Sequence, residues 1–250
     1  MSSSGGKILG YSLFGLGYGL YLFFNSFKRF KEKKLIENTP TSKIRSIAMG
    51  PIEIYGKVLE NENDLITTPF SKKRAAYCYW TIEEYKKQGK HSKWVKIKKG
   101  SLGKYFYVQD NTGTVLVDPN RANIDIPIDY ETKNLNEKIK SSLKEMGIPH
   151  KGLIFNRSLR FREYYLIQND KIYVMGYAGI NPFVEGGTSQ KNEKGIMIQK
   201  GSGKSFFYIS DKPEKEILQD FGLKVYGEMY GGAALAIACL FIIFTYLKIL

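Results

Sequence analysis

The chain has 250 residues, of which 43% are hydrophobic, enough apolar material for one sizeable core or two small ones. Its 38 Lys and Arg residues outnumber its 24 Asp and Glu residues, and the formal net charge of +14 suits an anionic lipid surface or another polyanion. Only two cysteines occur, which excludes a disulfide framework and a multi-cysteine zinc site.

Two uncharged apolar stretches lie near the ends of the sequence. As helices, residues 8–27 and 229–247 are both long enough to cross a ~30 Å hydrocarbon layer. Positive charge follows the first stretch instead of preceding it, and no cleavage site is evident, so the pattern favours an uncleaved anchor over a signal peptide. We therefore predict two transmembrane helices, with short tails at 1–7 and 248–250 and everything between the spans on one side of the membrane.

Small residues in both spans predict close helix packing. Gly15 and Gly19 would admit a second helix, and Gly232 and Ala236 form a small-residue face that could dock there. The same Gly15/Gly19 face could instead mediate a homo-oligomer. The alternative is that these glycines only weaken a hydrophobic span.

A basic juxtamembrane linker is predicted at residues 28–39. Five cations follow the first span almost without interruption: Lys28, Arg29, Lys31, Lys33 and Lys34. Because positive flanks tend to stay inside, they favour a cytoplasmic location for the central domain.

Strand patterns dominate the next hundred residues. Ile52, Ile54 and Val58 recur at even spacing, residues 74–85 alternate over a long strand, and residues 93–99 read as a half-solvated strand with lysines on one face. The turn residues Asp110 to Gly113 join an aromatic strand to residues 114–117 in a central hairpin, which Asp118 and Pro119 end.

The later part repeats some of this pattern. KKGSLGKYFYVQD (98–110) is echoed by QKGSGKSFFYISD (199–211), and we predict an internally duplicated β unit, with copies at about 44–127 and 157–211. Strands at 157–168 and 171–178 and a second hairpin at 195–210 belong to the second copy. Between the copies, residues 131–146 have helical spacing, and a short helix at 213–221 could be capped by Ser210 or Asp211.

The predicted fold is thus mainly β (α+β): a domain over residues 40–222 with an internal duplication and one inserted amphipathic helix, flanked by two transmembrane helices. Five blocks in this order resemble the GIDE ("beside a membrane") domain of mitochondria-anchored ubiquitin and SUMO ligases of the MULAN/MAPL type. The blocks are SKIRSIAMGPIEIYGKV, TTPFSKKRAAYCYWTIEEY, FYVQDNTGTVLVDP, REYYLIQNDKIYVMGYA and FFYISDKPEKEIL. The turn and motif residues within this resemblance are Gly50, Gly56, Pro69, Asp110, Gly113, Asp118, Pro119 and Gly176.

The resemblance implies a membrane-apposed scaffold or recognition module. Family ligases carry a zinc-binding RING after the second span, whereas this sequence ends at Leu250 and offers no Cys or His ligands there, so RING-type activity is not carried over. In those mitochondrial ligases the module faces the intermembrane space, which opposes the orientation that the charges favour.

Several isolated motifs have simpler explanations than chemistry. Residues 201–205 resemble part of a phosphate-binding loop, but Ile198 stands where glycine is needed, so a turn is favoured. His91 and His150 lack partners, Cys78 fits a buried thiol, and the acidic residues near 118–131 (Asp118, Asp125, Asp129 and Glu131) fit solvated loops better than a weak cation site. We predict no catalytic residue, no metal and no cofactor.

The basic stretch 72–104 holds eleven Lys and Arg residues against two acids, interleaved with aromatic residues. It is a candidate surface for anionic lipid or a protein partner, formed by Lys72, Lys73, Arg74, Lys86, Lys87, Lys90, Lys93, Lys96 and Lys98. Nucleic acid is not expected, because no nucleic-acid-binding signature accompanies the charge.

The functional prediction is a membrane-anchored, non-enzymatic scaffold or recognition protein, in a prokaryotic cell membrane with its domain in the cytoplasm. The alternatives are a positioning subunit of a ubiquitin-ligase-like system whose RING comes from a partner, and a polyanion-binding membrane protein. An outward-facing domain or an organellar membrane is the alternative location.

Overall fold

The computed structural model describes residues 3–59, 65–88, 91–147, 158–184, 195–203 and 205–247. The chain divides into a helical unit, Met1–Pro40 with Pro213–Leu250, and a β unit, Thr41–Lys212. About 36% of the described residues are in strands, and the class is α+β. The helices are α1 (Ser3–Asn38), α2 (Glu137–Glu145) and α3 (Glu214–Tyr246). The described strands are β1 (Gly50–Leu59), β2 (Ile66–Thr67), β3 (Arg74–Ala75), β4 (Tyr77–Gln88), β5 (His91–Leu102), β6 (Phe106–Gln109), β7 (Thr114–Val117), β8 (Asn123–Asp125), β9 (Tyr130–Thr132), β10 (Leu159–Leu166), β11 (Lys171–Ile180), β12 (Ile196–Gln199) and β13 (Tyr208–Ser210).

Both long helices exceed the apolar spans predicted for them. α1 continues through the predicted linker to Asn38, and α3 joins the predicted short helix at 213–221 and the span at 229–247 into one helix. No proline interrupts either segment, and an interior glycine costs only about 1 kcal/mol, too little to end a helix. The predicted caps are wrong, because Pro213 occupies the N-cap position of α3. By length and composition, both helices could cross a membrane.

The two long helices pack against each other through their small residues. A Cβ atom on Gly19 would lie 2.8 Å from both Ala236 N and Gly232 O, so only glycine permits this backbone approach. Nearer the N-terminus, a Cβ on Gly15 would lie 2.6 Å from Cys239 Sγ. Gly15 lies beside Cys239 and Gly19 lies beside Gly232 and Ala236, so the chain runs in opposite directions in the two helices. They therefore form an antiparallel hairpin. The predicted docking of the two spans is confirmed, and a homo-oligomer through the same face would have to displace α3.

Five strands of the β unit close into a barrel. They follow the order β1–β6–β7–β12–β11, and β11 pairs back to β1 from Gly50↔Ala178 to Lys57↔Lys171. Alternate side chains fill the interior, among them Ile54, Val108 and Val174, because strand residues two apart share a face. The strands β13 and β8 extend the sheet beyond β11.

The central hairpin is confirmed, and the second hairpin is wrong. β6 pairs with β7 around residues 110–113, as predicted. β12 and β13 are not paired with each other; they lie in succession along β11, and each also runs parallel to an earlier strand, β7 or β8. β11 is long enough to pair with both strands. Their positions are therefore set by hydrogen bonding to β11 and not by a turn between them. The internal duplication itself stays a prediction.

A second, four-stranded sheet has the order β5–β4–β10–β9. The helix α2 covers one face, where Ile139 and Leu143 pack against Phe70, Trp80 and Phe161. The helix predicted at 131–146 begins later than expected. Residues 130–132 are drawn into β9 by pairing with β10, and the side chain of Asn136 caps α2 by accepting a hydrogen bond from Ile139 N at 3.0 Å.

Several motif residues serve close packing. A Cβ on Gly56 would lie 2.6 Å from Gln109 O, and one on Gly176 would meet the Phe207 ring at 2.8 Å. Gly50 has φ +128°, which side chains rarely adopt. Pro69 accepts a hydrogen bond from Ser142 Oγ of α2. These contacts give the resembling motifs a structural role in the β unit.

The Asp110 carboxylate fastens the β6–β7 turn to the chain before β1. It accepts from Ile44 N at 3.0 Å, from Thr112 N at 2.6 Å and from Gly113 N at 3.0 Å. Partial burial raises the pKa of Asp110, but the hydrogen bonds from Thr112, Ile44 and Gly113 outweigh it and lower the pKa below its ordinary value.

We expect Asp110→Asn to lower the thermal midpoint of the β unit by a few degrees at pH 7. The folded pKa is lowered, so the carboxylate stabilises the fold above its unfolded pKa of about 3.9, and this stabilisation is lost as the pH falls through the lower folded value. The difference between variant and wild type should therefore shrink below about pH 4. Thermal melts from pH 3 to pH 7 would measure it, with exposed Asp211→Asn as control; a pH-independent difference would contradict this role.

Candidate functional site

The face of the four-stranded sheet away from α2 is polar and carries a charge network. Glu83 accepts from Arg160 Nε at 3.0 Å, and Glu131 accepts from Arg162 Nε at 2.7 Å. The Arg160 guanidinium lies 4.3 Å from the centroid of the Trp94 ring. The two arginines already have carboxylate partners, and Arg160 also stacks on Trp94. This end of the face therefore has little positive charge left for a ligand.

The other end of this polar face forms one wall of a groove of about 910 Å³. The opposite wall is the segment from Asp118 to Ile126, which links β7 to β8 and continues past it. The lining includes four cations, Lys96, Lys99, Lys104 and Arg121, and four tyrosines, Tyr77, Tyr79, Tyr105 and Tyr164. We call this the tyrosine–lysine groove.

A β-bulge places two of these lysines in the groove together. The register between β4 and β5 shifts between Ile82 and Glu83, so Lys99 is opposite Thr81 while Lys96 is opposite Glu83. Without the bulge, residues three apart would point to opposite faces. Sequence alternation instead grouped Lys96 with Lys98, but Lys98 lies opposite Ile82, on the α2 side of the sheet.

The four cations have no acidic partner within ion-pair distance among the described residues. The two groove acids are engaged elsewhere. Asp125 accepts from the Tyr208 hydroxyl at 2.6 Å and pairs with Lys212 at 3.6 Å, and Asp118 accepts from Asn120 N at 2.9 Å. The groove is therefore an electropositive surface with spare donors.

Aromatic rings form the floor of the groove. Tyr79 and Tyr164 lie with ring centroids 5.7 Å apart, and Lys96 Nζ donates to the Tyr79 hydroxyl at 3.3 Å. Burial raises the pKa of Tyr77 to about 12, so its hydroxyl stays protonated at neutral pH. The site can hold an anion and pack against a planar or apolar group.

The nine predicted surface cations are not gathered on one face. Lys72, Lys73 and Arg74 belong to the loop and short strand before β4, and Lys72 pairs with Glu145 at 3.7 Å. Lys86 is opposite Lys93, and Lys87 is opposite Ser92, near the end of the β4–β5 pairing. Lys90 is outside the described residues. Of the nine, Lys96 lines the groove. A lipid or partner role for the others stays a prediction.

The juxtamembrane cations are largely paired within the helical unit. Arg29 Nε lies 3.0 Å from Glu228, which also accepts from Asn25 at 3.0 Å. Ion pairs join Lys28 to Glu32 at 3.9 Å, and join Lys33 and Lys34 to Glu37 at 3.7 and 2.9 Å. Lys31 has no acidic partner among the described residues.

The isolated chemical candidates remain scattered. Cys78 is buried as predicted, and burial raises the pKa of its thiol. His91 is exposed at the start of β5, and His150 is outside the described residues. The described part of the chain brings no three His, Cys, Asp or Glu side chains together as a metal site. Asp129 accepts from Tyr165 N at 2.8 Å, and burial raises the pKa of Asp129.

Sequence reasoning missed three of the four groove cations. Lys99 and Lys104 lay within the basic stretch but were not singled out, and Arg121 was not considered at all. The signal for Arg121 is weak, because an Asp-Pro-Asn-Arg turn shows only that the chain bends there.

Comparison with known proteins supplies the family. No curated protein and no solved structure matches the chain. The model of the GIDE family, described as E3 ubiquitin ligase, matches residues 81–243, which include most of β4, the four groove cations and most of α3. As this match covers more than half of the sequence, the chain belongs to the GIDE family.

Proposed function

We propose that this protein is a membrane-anchored scaffold, held by the α1–α3 hairpin, whose GIDE domain recognises an anionic partner or lipid. The observation that carries the proposal is the glycine-mediated approach of the two long helices, with Gly19 against Gly232 and Ala236. Such small-residue contacts are typical of helices that pair in a bilayer, where backbones approach closely. Family membership supports the association with a membrane.

The recognition role is supported by the unpaired cations of the β unit. An anionic bilayer attracts each Lys or Arg near its surface by about 1 kcal/mol, and exposed cations equally suit an acidic protein. We propose that the domain lies on the cytoplasmic side, because five cations from Lys28 to Lys34 follow the first span and positively charged flanks tend to stay inside. The acidic residues that pair with them contribute little to this tendency.

A second candidate function follows from the family description. The protein could be the membrane-bound positioning subunit of a ubiquitin-ligase-like system. In this version the RING is supplied by a partner protein.

Membrane extraction and vesicle flotation test the first proposal. We expect the full chain to stay in the pellet after alkaline carbonate washing, because two packed spans hold it in the bilayer; release into the supernatant would refute the anchor. In phosphatidylcholine nanodiscs, the protein should co-float with added phosphatidylglycerol vesicles at low salt and not at 0.5 M salt, where screening is nearly complete over about 5 Å.

The outcomes separate the candidates. Equal flotation at both salt concentrations, or none at either, would contradict electrostatic recognition of lipid. Ubiquitin transfer by a purified RING protein that is faster in the presence of this chain would support the positioning role instead.

A further inference from the structure

The tyrosine–lysine groove has more positive charge than its own fold uses. Lys99, Lys104 and Arg121 line it without an acidic partner among the described residues, while Asp118 and Asp125 are occupied by other donors. The groove therefore offers cationic hydrogen-bond donors of the kind that bind an anion.

Arg121 adds a second, independent observation. Its φ is +64°, in the left-handed region that a long side chain adopts at a free-energy cost and glycine adopts freely. Nothing in the turn requires a cation, since the backbone bond from Ala122 N to Pro119 O at 3.0 Å involves no side chain. Strained residues of this kind concentrate at binding sites.

We propose that the groove binds a phosphate ester. Arg121, Lys99 and Lys104 would hold the phosphate, since guanidinium and ammonium groups are the usual phosphate ligands, and the Tyr79–Tyr164 floor would pack against the rest of the ligand. The volume of about 910 Å³ lies within the range of small-molecule sites, roughly 300–1,000 Å³. This deepens the recognition role proposed above and rests on it, but it does not depend on the anchor.

The ester could be soluble or could be a lipid headgroup, and two arms of one experiment separate these sources. The full chain in phosphatidylcholine nanodiscs is titrated with ATP and with inositol hexakisphosphate, and separately mixed with phosphatidylglycerol vesicles. Binding of a soluble ester indicates a soluble ligand, whereas Arg121-dependent binding of vesicles alone indicates a headgroup.

Substitutions at Arg121 test the groove itself. Arg121→Gly and Arg121→Gln should each lower the affinity about tenfold, a typical loss for a charge-assisted contact. The glycine variant should melt no lower than wild type, because it relieves the backbone. Two controls lie outside the groove: Asn169→Gly relieves a similar φ of +70°, and Lys171→Ala removes an exposed cation.

Three results would overturn the proposal: no binding of any probe, equal affinity of both Arg121 variants and wild type, or an equal loss in the two controls. Equally tight binding of polyglutamate would also overturn it, because the groove would then select charge and not phosphate. If vesicles bind independently of Arg121 and neither soluble ester binds, the recognition role survives and the groove proposal does not.

Discussion

Replacing Gly19 with leucine is expected to separate α1 from α3. A Cβ at this position would lie 2.8 Å from two backbone atoms of α3, and backbone cannot swing aside as a side chain can. Overpacking of this kind costs about 1–3 kcal/mol, which corresponds to about a 5-fold to 150-fold loss in helix association. The matched control is Gly17→Leu, because nothing lies within 4 Å of a Cβ there.

An engineered cross-link measures this association. A Cβ at residue 15 would lie 4.0 Å from Cys239 Cβ, a separation typical of disulfides, so mild oxidation of Gly15→Cys should join the two helices. After proteolytic cleavage of the β unit, the terminal fragments should stay linked until reduced. Gly19→Leu should slow the cross-link and Gly17→Leu should not, and Cys239→Ser should abolish it. A disulfide-linked dimer of whole chains would instead support a homo-oligomer through the Gly15/Gly19 face.

Removing the Glu163 carboxylate is expected to destabilise the β unit by about 2–4 kcal/mol. Glu163 is wholly buried on β10, and it accepts hydrogen bonds from Phe70 N and from Ser71 N, the latter at 3.1 and 3.2 Å. In Glu163→Ala those backbone N–H groups would lose their acceptor inside the protein. The Phe70 ring, 5.3 Å from Phe161, would lose the anchor that holds it in the core.

Denaturant unfolding followed by tryptophan fluorescence would measure this loss of unfolding free energy, because the ring centroids of Trp80 and Phe70 lie 5.9 Å apart. A Trp94→Phe background removes the other tryptophan. Glu163→Gln keeps a carbonyl oxygen that can accept these hydrogen bonds. We therefore expect it to lose roughly half as much unfolding free energy as Glu163→Ala. An alanine variant within 0.5 kcal/mol of wild type, the scatter of ordinary surface substitutions, would show that the loop holds without Glu163.

Sequence reasoning succeeded where contacts are local. The β6–β7 hairpin depends on four turn residues and two short strands, and the glycine faces of the spans can be read from their spacing. Glu163 also left a signal that was not used: it shares a strand face with Leu159 and Phe161, and a carboxylate in an apolar row indicates a buried role.

The failures come from contacts made at long range. Closing the barrel requires β1 to pair with β11, more than a hundred residues away, and no local pattern indicates that partner. The pairing of β12 and β13 with successive parts of β11 likewise prevents the hairpin that their sequence suggests. The bulge between Ile82 and Glu83, which turns Lys96 and Lys99 to the same face, is likewise set by cross-strand register and not by composition.

The long-range closure also has a consequence for biosynthesis. A ribosome delivers β1, β6 and β7 well before β11 and β12, which complete the ring at residue 199. Until then, nascent strands carry unsatisfied edges that invite aggregation. A prematurely terminated product ending before that point would retain exposed pairing edges, so quality control by chaperones and proteases should act on it far more strongly than on the finished polypeptide.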